Sequence, residues 1–211
     1  MNLLSELQYF APVDLYKNVN KNSNIVFESY DRFQKMSFRN RAWVVGAEGP
    51  LLLTVPLEEG RDQRKLSREV RVSSRYPWQS NHWKTIVSCY NRSPWFEFYR
   101  DSLESLYRKP FVFLNDWNQA CFIWSMEKLK WTNPIEFTVE YQPSYPADTY
   151  LDLRGKLMPK SISTQFPQSI VYRQVFEDRI GFIPHMSILD LLFCEGPAAG
   201  EKLRASREVR K

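Results

Sequence analysis

Glycine is scarce in this 211-residue chain, with seven in all. No GxGxxG and no GxxxxGK[ST] occurs, which excludes the Rossmann cofactor loop and the P-loop. No GxSxG marks a nucleophile elbow either. A phosphate would have to be held by side chains and helix N-termini rather than by a glycine cradle. Cysteine is scarcer still: Cys89, Cys121 and Cys194 are odd in number, far apart, and free of CxxC or CxxH spacing. This supports neither a zinc site nor a disulfide framework, so reduced, mostly buried thiols in a cytoplasmic protein are expected. There are two histidines, His82 and His185, and no HxxxH. No apolar window reaches transmembrane length, and the first nine residues do not read as a signal peptide. No cofactor and no metal is expected.

What the chain has is aromatic residues, 15% of the total, and a net charge of +5. A core without staples is within reach at this length, and one domain spanning 1–211 is expected. The charge suits an anionic partner, although a solvated basic surface explains it as well.

The hydrophobic pattern places a strand near residues 3–9, a short helix near 13–19 entered through Pro12, and a buried strand at 25–27. That is a βαβ opening with two parallel strands. Two β-rich runs, 42–45 and 51–55, flank a glycine turn as a hairpin. Residues 58–65 read as an exposed loop and 68–73 as a half-exposed strand. Helices are predicted over 79–90, with His82, Ile86, Cys89 and Tyr90 on one face; from Ser93 as N-cap and Pro94 to about 107; and over 116–130, striped by Trp117, Cys121, Trp124 and Lys128. Residues 135–141 alternate as a strand, and 142–170 read as a long loop. Ser187 caps a last helix that stops at Gly196-Pro197, and the charged tail from Glu201 frays. The fold class is α/β, a mixed and partly parallel sheet with covering helices; α+β with helices on one face is the alternative.

The densest chemical stretch is Asp31 to Arg41, DRFQKMSFRNR. Arg forks grip phosphate or carboxylate, and lysine adds a point charge. As a continued strand, Lys35, Arg39 and Arg41 would share a cationic face; a solvated edge strand or loop is the competing reading. His82 suits general acid–base work at neutral pH, although a lone histidine is more often structural. Cys89 is no partner for it, being about 10 Å along the helix axis. Trp78, Trp83, Tyr90, Trp95 and Phe96 serve as core or as ring-stacking surfaces. Gln8 and Tyr9 sit where the first strand meets its helix, the end of a parallel strand at which ligands bind. His185, beside Pro184, reads as local structure.

Taken together, several segments resemble the WbqC-like family. They are Gln8-Tyr9-Phe10-Ala11-Pro12, Gln34 through Arg41, Leu53-Thr54-Val55-Pro56, His82-Trp83-Lys84-Thr85-Ile86, Ser93-Pro94-Trp95-Phe96, Asp116-Trp117-Asn118, Asp152-Leu153-Arg154, Tyr172 through Phe176, and Gly181 through Phe193. The order is right along almost the whole chain, and the form is that of a compact branch with a reduced 131–170 region. The resemblance implies a role in O-antigen-type surface-polysaccharide biosynthesis, as a transferase adding an acyl or aminoacyl group such as glycine to a sugar precursor. In that reading His82 and Lys35 are catalytic, and Arg39 and Arg41 neutralise phosphate or an oxyanion. Gln8, Asn40 and Asn118 orient the sugar, and Tyr9 is a stacking platform. The expected partner is a nucleotide-linked or other anionic sugar precursor. A nucleic-acid-binding module is disfavoured by Glu48, Glu58, Glu59 and Asp62 close behind the basic run; a non-catalytic partner of a polysaccharide assembly complex is the other alternative.

Overall fold

The computed structural model describes residues 1–19 and 23–208. Four parallel strands form the main sheet in the order β5-β2-β1-β6: β1 (Asn2–Glu6), β2 (Ile25–Glu28), β5 (Ile135–Phe137) and β6 (Tyr150–Asp152). The short helix α1 (Val13–Lys17) follows β1 and carries the chain over to β2. The hairpin β3 (Arg41–Gly46) and β4 (Gly49–Thr54) is antiparallel as expected, but it forms a sheet of its own. The class is α/β.

Three helices occupy the middle: α2 (Trp78–Tyr90), α3 (Phe96–Tyr107) and α4 (Leu114–Leu129). α2 buries Trp78, His82, Ile86, Cys89 and Tyr90 on the expected stripe. α4 buries residues around most of its circumference, as a helix packed on several sides must. Its Phe122 meets Phe27 of β2 edge-on at 4.8 Å and stacks on Tyr16 of α1 at 5.5 Å. The helical part continues with α5 (Ile162–Gln165), α6 (Glu177–Ile180), α7 (Ile188–Glu195) and α8 (Ala199–Glu208).

Several expectations need correction. Ser93 is not an N-cap: its hydroxyl donates to the Tyr90 carbonyl, closing α2, and α3 starts only at Phe96. Residues 68–73 contribute a 3-10 turn and isolated bridges rather than a strand. The strand predicted over 135–141 is paired only to Phe137. The region 142–170 is not all loop, because β6 pairs with β1 there, Leu4 beside Asp152. Ser187 does cap α7, accepting from the Leu189 amide at 3.3 Å. The charged tail nevertheless continues as α8, anchored by the buried Leu203, and its last three residues lie outside the described residues.

Partners in register on a sheet point to the same face. Glu6 lies beside Glu28, and Leu4 beside Val26 and Asp152. One face of the sheet therefore carries three carboxylates toward the carboxyl ends of its strands. The opposite face, with Leu3, Ile25 and Phe27, joins the hydrophobic core.

Gly196 sets the exit from α7 at a φ of 55°, where an added Cβ would lie 2.2 Å from a Trp95 ring carbon. Both the clash and the backbone region oppose a side chain. Gly196→Ala is expected to lower stability by about 3 kcal/mol, read from the denaturant midpoint at unchanged m-value.

Candidate functional site

Two clefts stand out. The first, of about 780 Å³, opens at the carboxyl ends of the parallel strands. Open parallel sheets bind ligands at this end, and the volume lies within the usual range for small-molecule sites. Its walls include Tyr30, Asp31, Gln34, Arg39, Tyr141, Asp152 and Arg154.

The chemistry of this cleft follows from the carboxylates. Glu6 and Glu28 are 1% and 0% exposed, and neither can stay charged without donors. Glu28 accepts from the Tyr30 amide at 2.9 Å, the Thr138 hydroxyl at 2.8 Å and Arg154 at 2.9 Å. Glu6 accepts from Gln8 at 2.9 Å and from the Gly155 amide at 3.1 Å. Arg154 also grips Asp152 at 2.7 Å, donates to the Gln142 carbonyl at 2.8 Å, and lies over the rings of Tyr141 and Tyr145. Burial raises the Asp152 pKa, but the Arg154 guanidinium and amide outweigh it and leave this carboxyl below its ordinary value. Across the cleft, Arg39 forms a bidentate pair with Asp31, and both bond to Ser67.

The residues singled out from sequence are distributed unevenly. Arg39 lines this cleft. Gln8 lies behind it, held on Glu6, with its carbonyl oxygen buried and unpartnered. The Arg39 Nε and the Asn118 side-chain oxygen are likewise buried without a protein partner, which fits a site that meets a ligand or ordered water. Asn118 otherwise ties the strand extension to the basic run through the Arg39 carbonyl at 2.7 Å. Asn40 donates to the Val55 carbonyl at 3.0 Å and so braces the hairpin.

The cationic face is not formed. Residues 31–40 run as successive turns, not as a strand, so alternation does not apply. Lys35 is exposed and paired with Asp62 outside the cleft, and Arg41 belongs to β3. Tyr9 is fully buried, so it offers no face for stacking.

His82 is also interior, at 8% exposed, and lines neither cleft. Its Nδ1 pairs with the Tyr9 hydroxyl at 2.9 Å, and that hydroxyl in turn bonds to Tyr107. The Thr54 carbonyl favours a proton on the ring, but burial dominates and pulls its pKa down to about 4. The expected convergence of Lys35 and His82 on one pocket is thus not observed: desolvation makes His82 a neutral hydrogen-bonding post. The thiols are no nearer to chemistry, since burial pushes Cys89 up to about 11 and Cys121 well above its ordinary value. His185 is structural but not local, pairing with the distant Asp14 at 3.0 Å inside the fold.

The second cleft, of about 550 Å³, lies between the start of α2 and the end of α3 and is walled largely by aromatic rings. Among the described residues no three His, Cys, Asp or Glu side chains group to hold a metal ion, and no helix is long and apolar enough to cross a membrane.

The fold is that of an α/β protein with a cleft at the carboxyl edge of a parallel sheet. The chain matches the model of the WbqC-like protein family over residues 8–158, a stretch containing the walls of both clefts, and it belongs to that family. Neither a curated protein nor a solved structure matches it. Arg154 is the residue that sequence reasoning undervalued. It stood in a matching segment, but only the pairing of β6 with β1 reveals the carboxylates it serves.

The His82 shift carries a sign. Its folded pKa, about 4, lies below the unfolded 6.5, so the unfolded chain binds the extra proton between these values. Stability is fully present above pH 6.5 and is lost as pH falls toward 4. Over that window this group is expected to remove roughly 2–3 kcal/mol. His82→Gln should lack that component, so denaturant melts of the two proteins should converge from pH 7.5 to pH 4.5; parallel losses would refute it.

Proposed function

We propose that the protein is a transferase of surface-polysaccharide biosynthesis that acts in the cytoplasm on a sugar precursor, adding an acyl or aminoacyl group, and that the strand-end cleft holds the sugar. The observation that carries the sugar assignment is the composition of the cleft. Planar polar groups (Asp31, Gln34, Asp152) stand beside the rings of Tyr30 and Tyr141, each of which has an arginine over one face and leaves the other to a ligand. Sugar hydroxyls donate to carboxylates and amides, and ring C–H faces stack on aromatic rings. Membership of the WbqC-like family supports the polysaccharide context.

The charge distribution refines the substrate. Arg39 and Arg154 are engaged by Asp31, Glu28 and Asp152, so the cleft interior recognises hydroxyls rather than phosphate. A phosphate or nucleotide linked to the sugar would lie toward the exposed Arg32 at the mouth. Oligonucleotide binding is disfavoured on the same ground, since Lys35 and Arg39 are already paired with acids of the chain. Gln8 and Asn118 act by positioning the cleft wall, Arg39 by holding Asp31 toward the ligand, and His82 by fixing Tyr9 from behind.

A second reading, a non-catalytic sugar-binding partner of an assembly complex, is favoured by the absence of any histidine or cysteine from the cleft wall. Product formation separates the two. Incubation with nucleotide sugars and acyl or aminoacyl donors, followed by mass spectrometry, should show a modified sugar if the protein is a transferase; binding without product assigns the partner role. Tyr141 is 52% exposed, so Tyr141→Ala should fold normally yet weaken sugar-precursor binding on the order of fivefold by calorimetry. Unchanged affinity would remove the sugar from this cleft.

A further inference from the structure

The second cleft is built differently from the first. Its wall presents Tyr76, Trp78, Trp83, Tyr107 and Phe111, with Gln79 at the rim. No buried charge lines it: Glu104 and Arg108 lie at its edge and are paired with one another. Soluble chains rarely leave this many rings around an open space, and the volume of about 550 Å³ is that of a small-molecule site.

The wall is rigid where it needs to be. Gln79 donates to the Lys109 carbonyl at 2.7 Å, bridging the first turn of α2 to the loop after α3. Behind the wall, Trp117 packs edge-on against Trp78, Tyr107 and Phe111, with centroids 5.1–5.2 Å away. Its indole N–H is fully buried without a protein partner. Tyr107 is fixed from within, since its hydroxyl is hydrogen-bonded to the Tyr9 hydroxyl, which in turn pairs with His82 Nδ1. Tyr76, in contrast, is 68% exposed at the mouth, where an incoming ring would meet it.

We propose that this cleft is a second binding site, separate from the strand-end cleft, and that it takes a planar heteroaromatic ring of the nucleobase kind, stacked between Tyr76 and the indole wall. A saturated ring or an acyl chain would gain area there but not the face-to-face and edge-to-face contacts that a π-system makes with aromatic rings. Nucleobases stack tolerantly on such platforms because every base has a π-face. The amide of Gln79 and the hydroxyls of Ser73, Ser74 and Ser80 around the same opening can serve the polar edge of the ring.

The test uses the four common nucleosides as probes and glucose as a non-aromatic control, followed by quenching of intrinsic tryptophan fluorescence and by calorimetry on the full chain. Saturable quenching by at least one nucleoside, with none by glucose, is expected. Tyr76→Ala removes an exposed side chain and should leave the melting temperature unchanged while weakening nucleoside binding on the order of tenfold; Trp83→Leu should weaken it and reduce the quench. Tyr141→Ala, at the other cleft, should leave nucleoside binding intact. Silence from all four nucleosides, an effect of glucose equal to theirs, or Tyr76→Ala binding as tightly as the parent would each overturn the proposal. Loss of nucleoside binding in Tyr141→Ala would overturn the separateness of the two sites. Because nucleosides carry no sugar phosphate and no acyl donor is present, failure here leaves the strand-end reading untouched, and the reverse holds for failure of Tyr141→Ala in the sugar assay.

Discussion

Two carboxylates on adjacent strands govern the architecture. Glu6 and Glu28 are register partners on neighbouring parallel strands, which places their backbones about 4.8 Å apart, and both are buried. Carboxyl groups so buried would be strongly destabilising without hydrogen-bond partners. The solution draws in the distant segment 138–155: the Thr138 hydroxyl, the Arg154 guanidinium and the Gly155 amide all close on this pair. β6 is short, and its docking on β1 is reinforced by these bonds in addition to its own ladder. The cleft at the strand ends is the space left between that folded-over segment and the turns of residues 31–40.

Local and global charge therefore tell different stories. The chain carries a net +5, yet the charges at the principal cleft are largely paired: Arg39 with Asp31, and Arg154 with Asp152 and with Glu28 behind the wall. The excess of positive charge acts at longer range, where it sets encounter with anionic molecules and is weakened by salt.

Much of the fold was legible because periodicity reports burial directly. The stripe Trp78, His82, Ile86, Cys89 and Tyr90 is the buried face of α2, and the two runs about the Gly46–Gly49 turn are the hairpin. The parallel pairing of β1 with β2 followed from a single crossover. β6 was hidden because three residues give too little alternation, in a stretch punctuated by proline. Residues 31–40 could be read from sequence as a continued strand or as a loop, and the loop is what forms: the backbone turns repeatedly and Met36 takes a φ of 60°. The candidate site was half legible. Residue type singled out Arg39, which lines the strand-end cleft, and Gln8, which lies behind it, but type says nothing about burial, and His82 lies in the interior away from both clefts. Arg154 could not be valued until its carboxylates were placed in space.

The continuation of β1 joins these threads. Past Glu6 the chain no longer belongs to a strand, yet Gln8 and Tyr9 still serve opposite sides: Gln8 bonds to Glu6 behind the strand-end cleft, whereas Tyr9 bonds to Tyr107 in the aromatic wall. Phe10 then adopts a φ of 37°, a costly region for an aromatic residue, and turns the backbone into Pro12 and α1. The strain is held by packing, since the Phe10 ring meets Trp117 and Trp124 edge-on at 6.3 and 5.8 Å. Asn118 braces the same segment through the Leu7 and Arg39 carbonyls. One short stretch, residues 7–10, thus forms the partition behind both clefts, and its rigidity fixes the position of each wall relative to the other.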